Sequence, residues 1–395
     1  MAVLPPPLMT SEPGSFARLT IEVRKHKIIA AVLQDNDLDS AARLALANLD
    51  AELSAAPVGE PPHDIPCYDE WLAEWRLWQG HTWLDLPWYF AEAYFYVRLL
   101  HAVGYFQRRC GDPFAAQKRS MLERARVLLP DLVGLEKGLA NLPPERAFER
   151  LAHRSLWGNR LDLSNQAIAE KHEADPYGAE ASAMVVVDEC ADAYGAIFTA
   201  TERPVAFLCD NCGPELIADL ELALWLLKHG IPSVALELKP QPFFVSDATV
   251  QDAQETISFL RYCPVPGAAR IGDQLSQAMA EGRLELRDHP FYCGPGFYTD
   301  LPADLEQRLG RASLVIAKGD VNYRRFLEDR HWPYTTPLRT AVRRFPTNAL
   351  LLRTFKGELA AGLSREIVER LEASGPGWLI DGSHAVAQFL AAPGA

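Results

Sequence analysis

The chain of 395 residues has 39 Lys+Arg against 52 Asp+Glu, a formal net charge of −13, with 48% apolar and 23% charged residues. This balance excludes general disorder, and the length suits two domains or one core with a large appendage. No uncharged apolar run reaches the ~18–20 residues that span a bilayer, and the acidic sum disfavours nucleic acid and anionic membranes as partners.

The first stretch, to about residue 14, is Pro-rich and reads as a loose arm. It lacks the basic start and continuous apolar stretch of a signal peptide. From Phe16 to about Leu142 the texture is helical. A helix starts at Ser40, capped by Asp39 or Ser40. Asp69 to Gly80 places Trp71, Trp75 and Trp78 on one helical face, and core packing is the default meaning of such a stripe. Trp88 to Phe106 reads as a long apolar helix, with Glu92 and Arg98 within it as a structural pair or as groups reaching a pocket.

After about residue 180, short β-branched runs alternate with amphipathic helices. Strands are predicted at 204–209, 233–238, 312–317, 349–352 and 377–381, and a helix over 215–229 closes on Gly230. This order implies a three-layer α/β/α sandwich with a mostly parallel sheet, preceded by an α-helical N-terminal domain. The expected boundaries are 1–180 for the helical part and 181–395 for the α/β/α part. Seven scattered cysteines argue against a disulfide framework, so the expectation is a soluble cytoplasmic protein with reduced thiols. Cys209 and Cys212 have C-x-x-C spacing but no second pair for a zinc ribbon, and they read as small buried residues.

In such sheets ligands bind beyond the carboxyl ends of the strands. Four predicted strands run into polar residues there: Asp210-Asn211, the loop delivering Asp247, Lys318-Gly-Asp320-Val-Asn322-Tyr323-Arg324, and Arg353-Thr-Phe-Lys356. Oxygen-bearing side chains at a strand end above a helix N-terminus suit a hard divalent cation and a phosphate. Residues 318–356 hold nine Lys+Arg and three Asp+Glu, a net +6, which leaves −19 for the rest. A local cationic patch in an acidic protein fits a small anionic substrate. Arg339, Arg343 and Arg344 read as a solvated helix face, and Lys318, Arg353 and Lys356 as site residues. No dinucleotide fingerprint, P-loop, H-E-x-x-H or G-x-S-x-G is present. The ten histidines show no ligand spacing, so zinc is disfavoured against an oxygen-bound ion.

Asp210-Asn-Cys-Gly-Pro-Glu215 resembles the D-N-x-G-x-E signature of the damage-control phosphatases. Phe244-Val-Ser-Asp247, Lys318 to Arg324 and Arg353-Thr-Phe-Lys356 resemble the subfamily III branch, the acidic residue methyltransferase 1-like proteins with an R-T-x-K motif. Leu156 to Ser164 and Pro87 to Tyr96 also look like that branch. The resemblance implies a metal-dependent phosphatase of small phosphorylated metabolites, sugar phosphates such as fructose 1-phosphate or fructose 6-phosphate. It implies Asp210, Asn211 and Asp247 as ligands of a divalent ion, Mn²⁺ first, with Mg²⁺, Co²⁺ or Ni²⁺ as alternatives. It implies Glu215, Asp320, Asn322, Tyr323, Arg324 and Lys356 around the substrate, with Ser246 and Arg353 from the same motifs.

The expected chemistry assigns Asp210, Asp320, Lys318 and Lys356 to catalysis, with Asp210 as nucleophile, or Asp210 or Asp320 as base for a water. The cations then neutralise phosphoryl charge. Glu92, Asn159, Arg160 and Asp162 are candidates to cap the pocket from the helical half. No obligate protein partner is inferred. The rival readings are an S-adenosylmethionine-dependent carboxyl methyltransferase, a lyase or hydrolase of a specialised pathway on the same site, and a non-catalytic sugar-phosphate-binding module.

Overall fold

The computed structural model describes residues 4–126, 129–130, 138–158, 182–375 and 377–393. Seven strands form one sheet: β1 Val185–Asp188, β2 Val205–Leu208, β3 Val234–Leu238, β4 Leu284–Asp288, β5 Leu314–Lys318, β6 Ala349–Thr354 and β7 Ala385–Leu390. Their spatial order is β1-β7-β6-β5-β2-β3-β4. All neighbours are parallel except β6 and β7. The expected α/β/α sheet is therefore present, with β7 and its parallel neighbour β1 running opposite to the other five strands. The chain moves outward from β2 through β3 to β4, then returns to the other side of β2 as β5. That reversal makes the β2/β5 boundary the topological switch point, where helices on the two sides leave a crevice.

The central strands are buried on both faces, as parallel strands covered by helices must be. Alternation sorts their side chains. Val205, Phe207, Leu236, Ile316 and Leu352 pack into one core with the helices Pro144–Trp157, Pro214–Lys228 and Pro266–Ala280. Ala206, Leu208, Ala235, Val315 and Leu351 face the other core, which the N-terminal helices complete. That second core holds Trp71, Trp83 and nearly every residue of helix Trp88–Ala102. Tyr94 and Phe90 stack at 5.3 Å and Trp71 sits 5.4 Å from Tyr94, so the aromatic stripe is core packing.

Several expectations shift. The 377–381 segment is a turn closed by Ile380 N–H to Gly377 O at 2.9 Å, and the last strand is β7 instead. Trp378 leaves the sheet to pack edge-on against Phe355 and Tyr334. β1 and β4 are strands beyond those expected: β1 carries the short run Val185-Val186-Val187, and in β4 Glu285 and Arg287 interrupt the apolar pattern. The Trp88 helix ends at Ala102, before Gly104 at φ +77°. Asp39 is the cap of helix Ser40–Ala55, accepting from Ala42 N–H at 2.8 Å. The N-terminal arm is docked: Leu8 N–H donates to Asp329 O at 2.8 Å, and Thr10 is buried on Trp83 and Leu86 carbonyls. Glu92 and Arg98 do not pair with each other; Glu92 binds Lys25, and Arg98 binds Glu52 at 2.8 Å.

Candidate active site

The carboxyl ends of β6, β5, β2 and β3 lie side by side, so the four polar strand ends read from the sequence share one edge of the sheet. Two loops there are joined by backbone hydrogen bonds. Ala248 N–H donates to Asp210 O and Cys212 N–H to Ser246 O, both at 2.8 Å, and Lys239 N–H donates to Ala248 O at 2.9 Å. This zip holds Asp210 and Asn211 against Asp247. Phe244 and Val245 turn the second loop with φ +44° and +72°. A β-branched residue in that region is strained, and such strain persists where the surroundings over-determine it.

The side chains interlock. Asn211 Nδ2 donates to Asp210 Oδ2 at 2.7 Å and to Glu215 Oε2 at 2.9 Å, while Ser246 Oγ donates to Asn211 Oδ1 at 2.6 Å. Gly319 follows β5 at φ +84°, and a Cβ there would stand 2.0 Å from Asp210 Oδ2. Only glycine lets β5 end so close to this carboxylate. Burial, then Glu215 and Asp247, holds the Asp210 carboxyl well above the usual carboxylate range. Burial pushes Asp247 up to about 6, against the pull of Lys239. Asp247 Oδ2 is buried without a hydrogen bond, its ion-pair neighbour Lys239 Nζ being 3.3 Å away. Crowded, desolvated carboxylates of this kind are relieved by a cation. The all-oxygen set of Asp210, Asn211 and Asp247 fits a hard divalent ion.

Behind this floor the expected cations are enclosed. Lys318 Nζ donates to Glu215 Oε1 at 2.9 Å and to Ser155 O at 2.6 Å, with Asp219 Oδ1 at 3.3 Å. Burial works against its charge, but Asp219 and Glu215 outweigh it and raise its pKa. Arg324 spans Asp320 and Asp329, both at 2.6 Å, with its guanidinium over the Trp88 ring. Arg353 bonds the other Asp320 oxygen at 2.7 Å and the carbonyls of Gly357 and Leu359. Burial opposes ionisation of Asp320, yet the two guanidiniums bring its pKa down to about 2. Asn322 Nδ2 donates to the carbonyls of Leu208, Cys209 and Lys318, tying the end of β2 to β5. Tyr323 hydrogen-bonds Gln388 and Ala361.

A polar cavity of about 370 Å³ stands over the floor. Asp210, Asn211, Glu215, Ser246, Asp247, Asp320 and Lys356 reach it, whereas Lys318, Asn322, Tyr323, Arg324 and Arg353 do not line it. The latter five are strand-end clasps and ion-pair partners, since each already has its donors engaged. Arg343 and Arg344 pair with Glu328 and Glu306. The +6 segment is thus largely neutralised within the fold.

The sequence reading missed Phe16, Arg24 and Trp88, which line the cavity from the helical part. Nothing in their local spacing marks them; only packing brings them to the sheet edge. Glu92 is spent on Lys25, and Asn159, Arg160 and Asp162 lie outside the described residues. Elsewhere His153, Asp188 and Cys190 bring one ligand atom each within 4.8 Å of one another, a mixed donor set that distant numbering concealed. His153 Nε2 lies 2.7 Å from Asp188 there.

A parallel sheet with polar loops converging on its switch point, under a helical cover, defines an α/β enzyme-like site. The model of the damage-control phosphatase ARMT1-like domain matches residues 16–371, and the chain belongs to that family. It is 28% identical to the damage-control phosphatase ARMT1 of Danio rerio, over 98% of this chain and 97% of that one. It is 28% identical to the protein of that name from Mus musculus, over 98% and 99%. The human protein of that name is 25% identical over 98% and 99%. A solved DUF89 family protein from Pyrococcus horikoshii shares the fold, with a TM-score of 0.51, 14% identity, and 94% and 96% of the two chains covered. The family is one of metabolite-repair phosphatases. Among the described residues no helix is long and apolar enough to cross a membrane.

Proposed function

We propose that this chain is a divalent-metal-dependent phosphoric monoester hydrolase of small phosphorylated metabolites. Sugar phosphates such as fructose 1-phosphate or fructose 6-phosphate are the substrate class, Mn²⁺ is the favoured ion, and the cytoplasm is the compartment. In this reading residues 1–180 form the helical part that packs on the site, and residues 181–395 carry the catalytic groups. The supporting observation is the zipped pair of loops that presents Asp210, Asn211 and Asp247 at the switch point, beneath a polar cavity reached by Lys356.

Asp210, Asn211 and Asp247 would hold the ion, which when bound supplies Lewis-acid polarisation of a phosphoryl oxygen. Asp210 is the group that acts on phosphorus or on its attacking water. Asp320 is less suited to that role, because each of its oxygens is already bound by a guanidinium. Glu215, fixed by Lys318 and Asn211, orients the Asn211 amide. Lys318, Arg324 and Arg353 act through the carboxylates they hold. Lys356 and Ser246 face the substrate directly.

The test is phosphate release from a panel of sugar phosphates with Mn²⁺, Mg²⁺, Co²⁺, Ni²⁺ or chelator, run on the native chain and on Asp210→Ala. Metal-dependent release that falls by at least ~10²-fold in the variant is expected. No release by folded, metal-loaded protein would overturn the reading in favour of methyl transfer, lyase chemistry or binding without turnover. Full activity in Asp210→Ala would sink the mechanism.

A further inference from the structure

We infer that Arg24 is a phosphoryl-binding residue that the N-terminal helical segment delivers into the cavity, where it and Lys356 form a two-cation clamp on the substrate's anionic group. The inference rests on the phosphatase reading of the same cavity and names which residues recognise the anion.

The local backbone sets Arg24 apart from its neighbour. A helical turn at Phe16–Leu19 passes into a π-helical stretch at Thr20–Arg24 and then into helix Lys25–Asp35. A π segment places an extra residue in the turn and so changes which side chain points where; such insertions are frequent at functional sites. Here Lys25 turns fully inward, paired with Glu92 and 4.6 Å from the Phe95 and Tyr96 ring centres. Arg24, one residue earlier, lines the cavity and remains accessible.

The two cations lining the cavity, Arg24 and Lys356, make no hydrogen bond or ion pair among the described residues. Among the described residues the other cations near the floor are committed: Lys239 to Asp247, Lys318 to Glu215, Arg324 and Arg353 to Asp320. Burial works against the Arg24 charge, but the neighbouring carboxylates of Glu92, Asp247 and Asp320 help to hold it, so its pKa is raised. Asp247 belongs to the floor and Asp320 to the helix Gly319–Phe326 that follows β5.

Five carboxylates reach the cavity, from Asp210, Glu215, Asp247, Asp320 and Asp381. A phosphate monoester approaching them needs free positive charge in front of it as well as the ion beneath. Guanidinium offers five N–H donors in a planar fork that matches two phosphoryl oxygens, and Lys356 adds a point charge from the loop after β6. Phe16, which packs against Trp88 with ring centres 6.3 Å apart, adds apolar surface to the same cavity wall.

The experiment uses the full-length Mn²⁺-loaded chain and the variants Arg24→Ala and Arg24→Lys. Calorimetry measures the affinity for inorganic phosphate, a parallel titration measures Mn²⁺, and sugar-phosphate hydrolysis gives kcat and KM. Arg24→Ala is expected to weaken phosphate binding by ~10-fold or more and kcat/KM by ~10²-fold, with Mn²⁺ affinity retained. Arg24→Lys is expected to recover part of both losses, which a fold defect would not allow. Phosphate affinity unchanged in folded Arg24→Ala would overturn the inference, as would a native protein that binds no phosphate. A native chain that binds phosphate through Arg24 but hydrolyses nothing would uphold the inference and refute the phosphatase reading. Normal hydrolysis in Arg24→Ala would do the reverse.

Discussion

Behind the pocket carboxylates stand Lys239, Lys318, Arg324 and Arg353, all buried and all paired. In front stand Arg24 and Lys356, accessible and unpaired. Both groups are cationic and both border one site, yet they answer to different physics. A buried cation is tolerated only with its partners in place, because desolvation is costly and a fixed carboxylate offsets it. An accessible cation is already solvated, and it can exchange water for a ligand. Positive charge counted along the chain cannot tell these two groups apart.

The largest effect that sharpens this contrast falls on the rear group. Lys318→Met leaves Glu215 and Asp219 desolvated without their shared counter-charge. A stability loss of about 3–5 kcal/mol is expected, read as a lower denaturant midpoint. An unchanged midpoint would mean that Lys318 is not the anchor of this carboxylate pair.

A smaller effect concerns the Asp320 fork. Its folded pKa of about 2 lies below the ordinary 3.8, so the unfolded chain takes up the proton first as pH falls. The fork's contribution is then fully present above the unfolded value and is lost between roughly pH 4 and pH 2, on the order of 2 kcal/mol. In Asp320→Asn that acid-linked loss should vanish from the stability-versus-pH curve. If native and variant curves run parallel through that window, the fork is not formed in solution.

The smallest effect belongs to the front group. Lys356→Ala should raise KM for a phosphorylated substrate by ~10-fold while leaving the unfolding midpoint in place, since no intramolecular partner is lost. A fall in stability comparable to that of Lys318→Met would erase the distinction between the two groups.

Much of this organisation is readable in the chain itself. β2, β3, β5 and β6 are mostly apolar runs, broken within β3 only by Glu237, as parallel strands covered on both faces should be, and each leads into the polar group that a strand end presents. The same logic located Asp210, Asn211 and Asp247, which the fold does bring together. Outside the expected strands were β1, a run of only three valines, β4, whose apolar pattern Glu285 and Arg287 interrupt, and β7, displaced from the 377–381 run by a turn. The docking of the N-terminal arm was equally hidden, because Leu8 and Thr10 find their partners at residues 86 and 329.

The sequence by itself determined which strand ends carry oxygen donors and which segment carries excess positive charge, because both are local properties of consecutive residues. Only the tertiary structure decided which charges remain available. Lys318, Arg324 and Arg353 are silenced by carboxylates that folding places beside them, and Arg24 is brought to the cavity from the opposite end of the chain. Pairing depends on distance and burial, and neither is encoded at a single position.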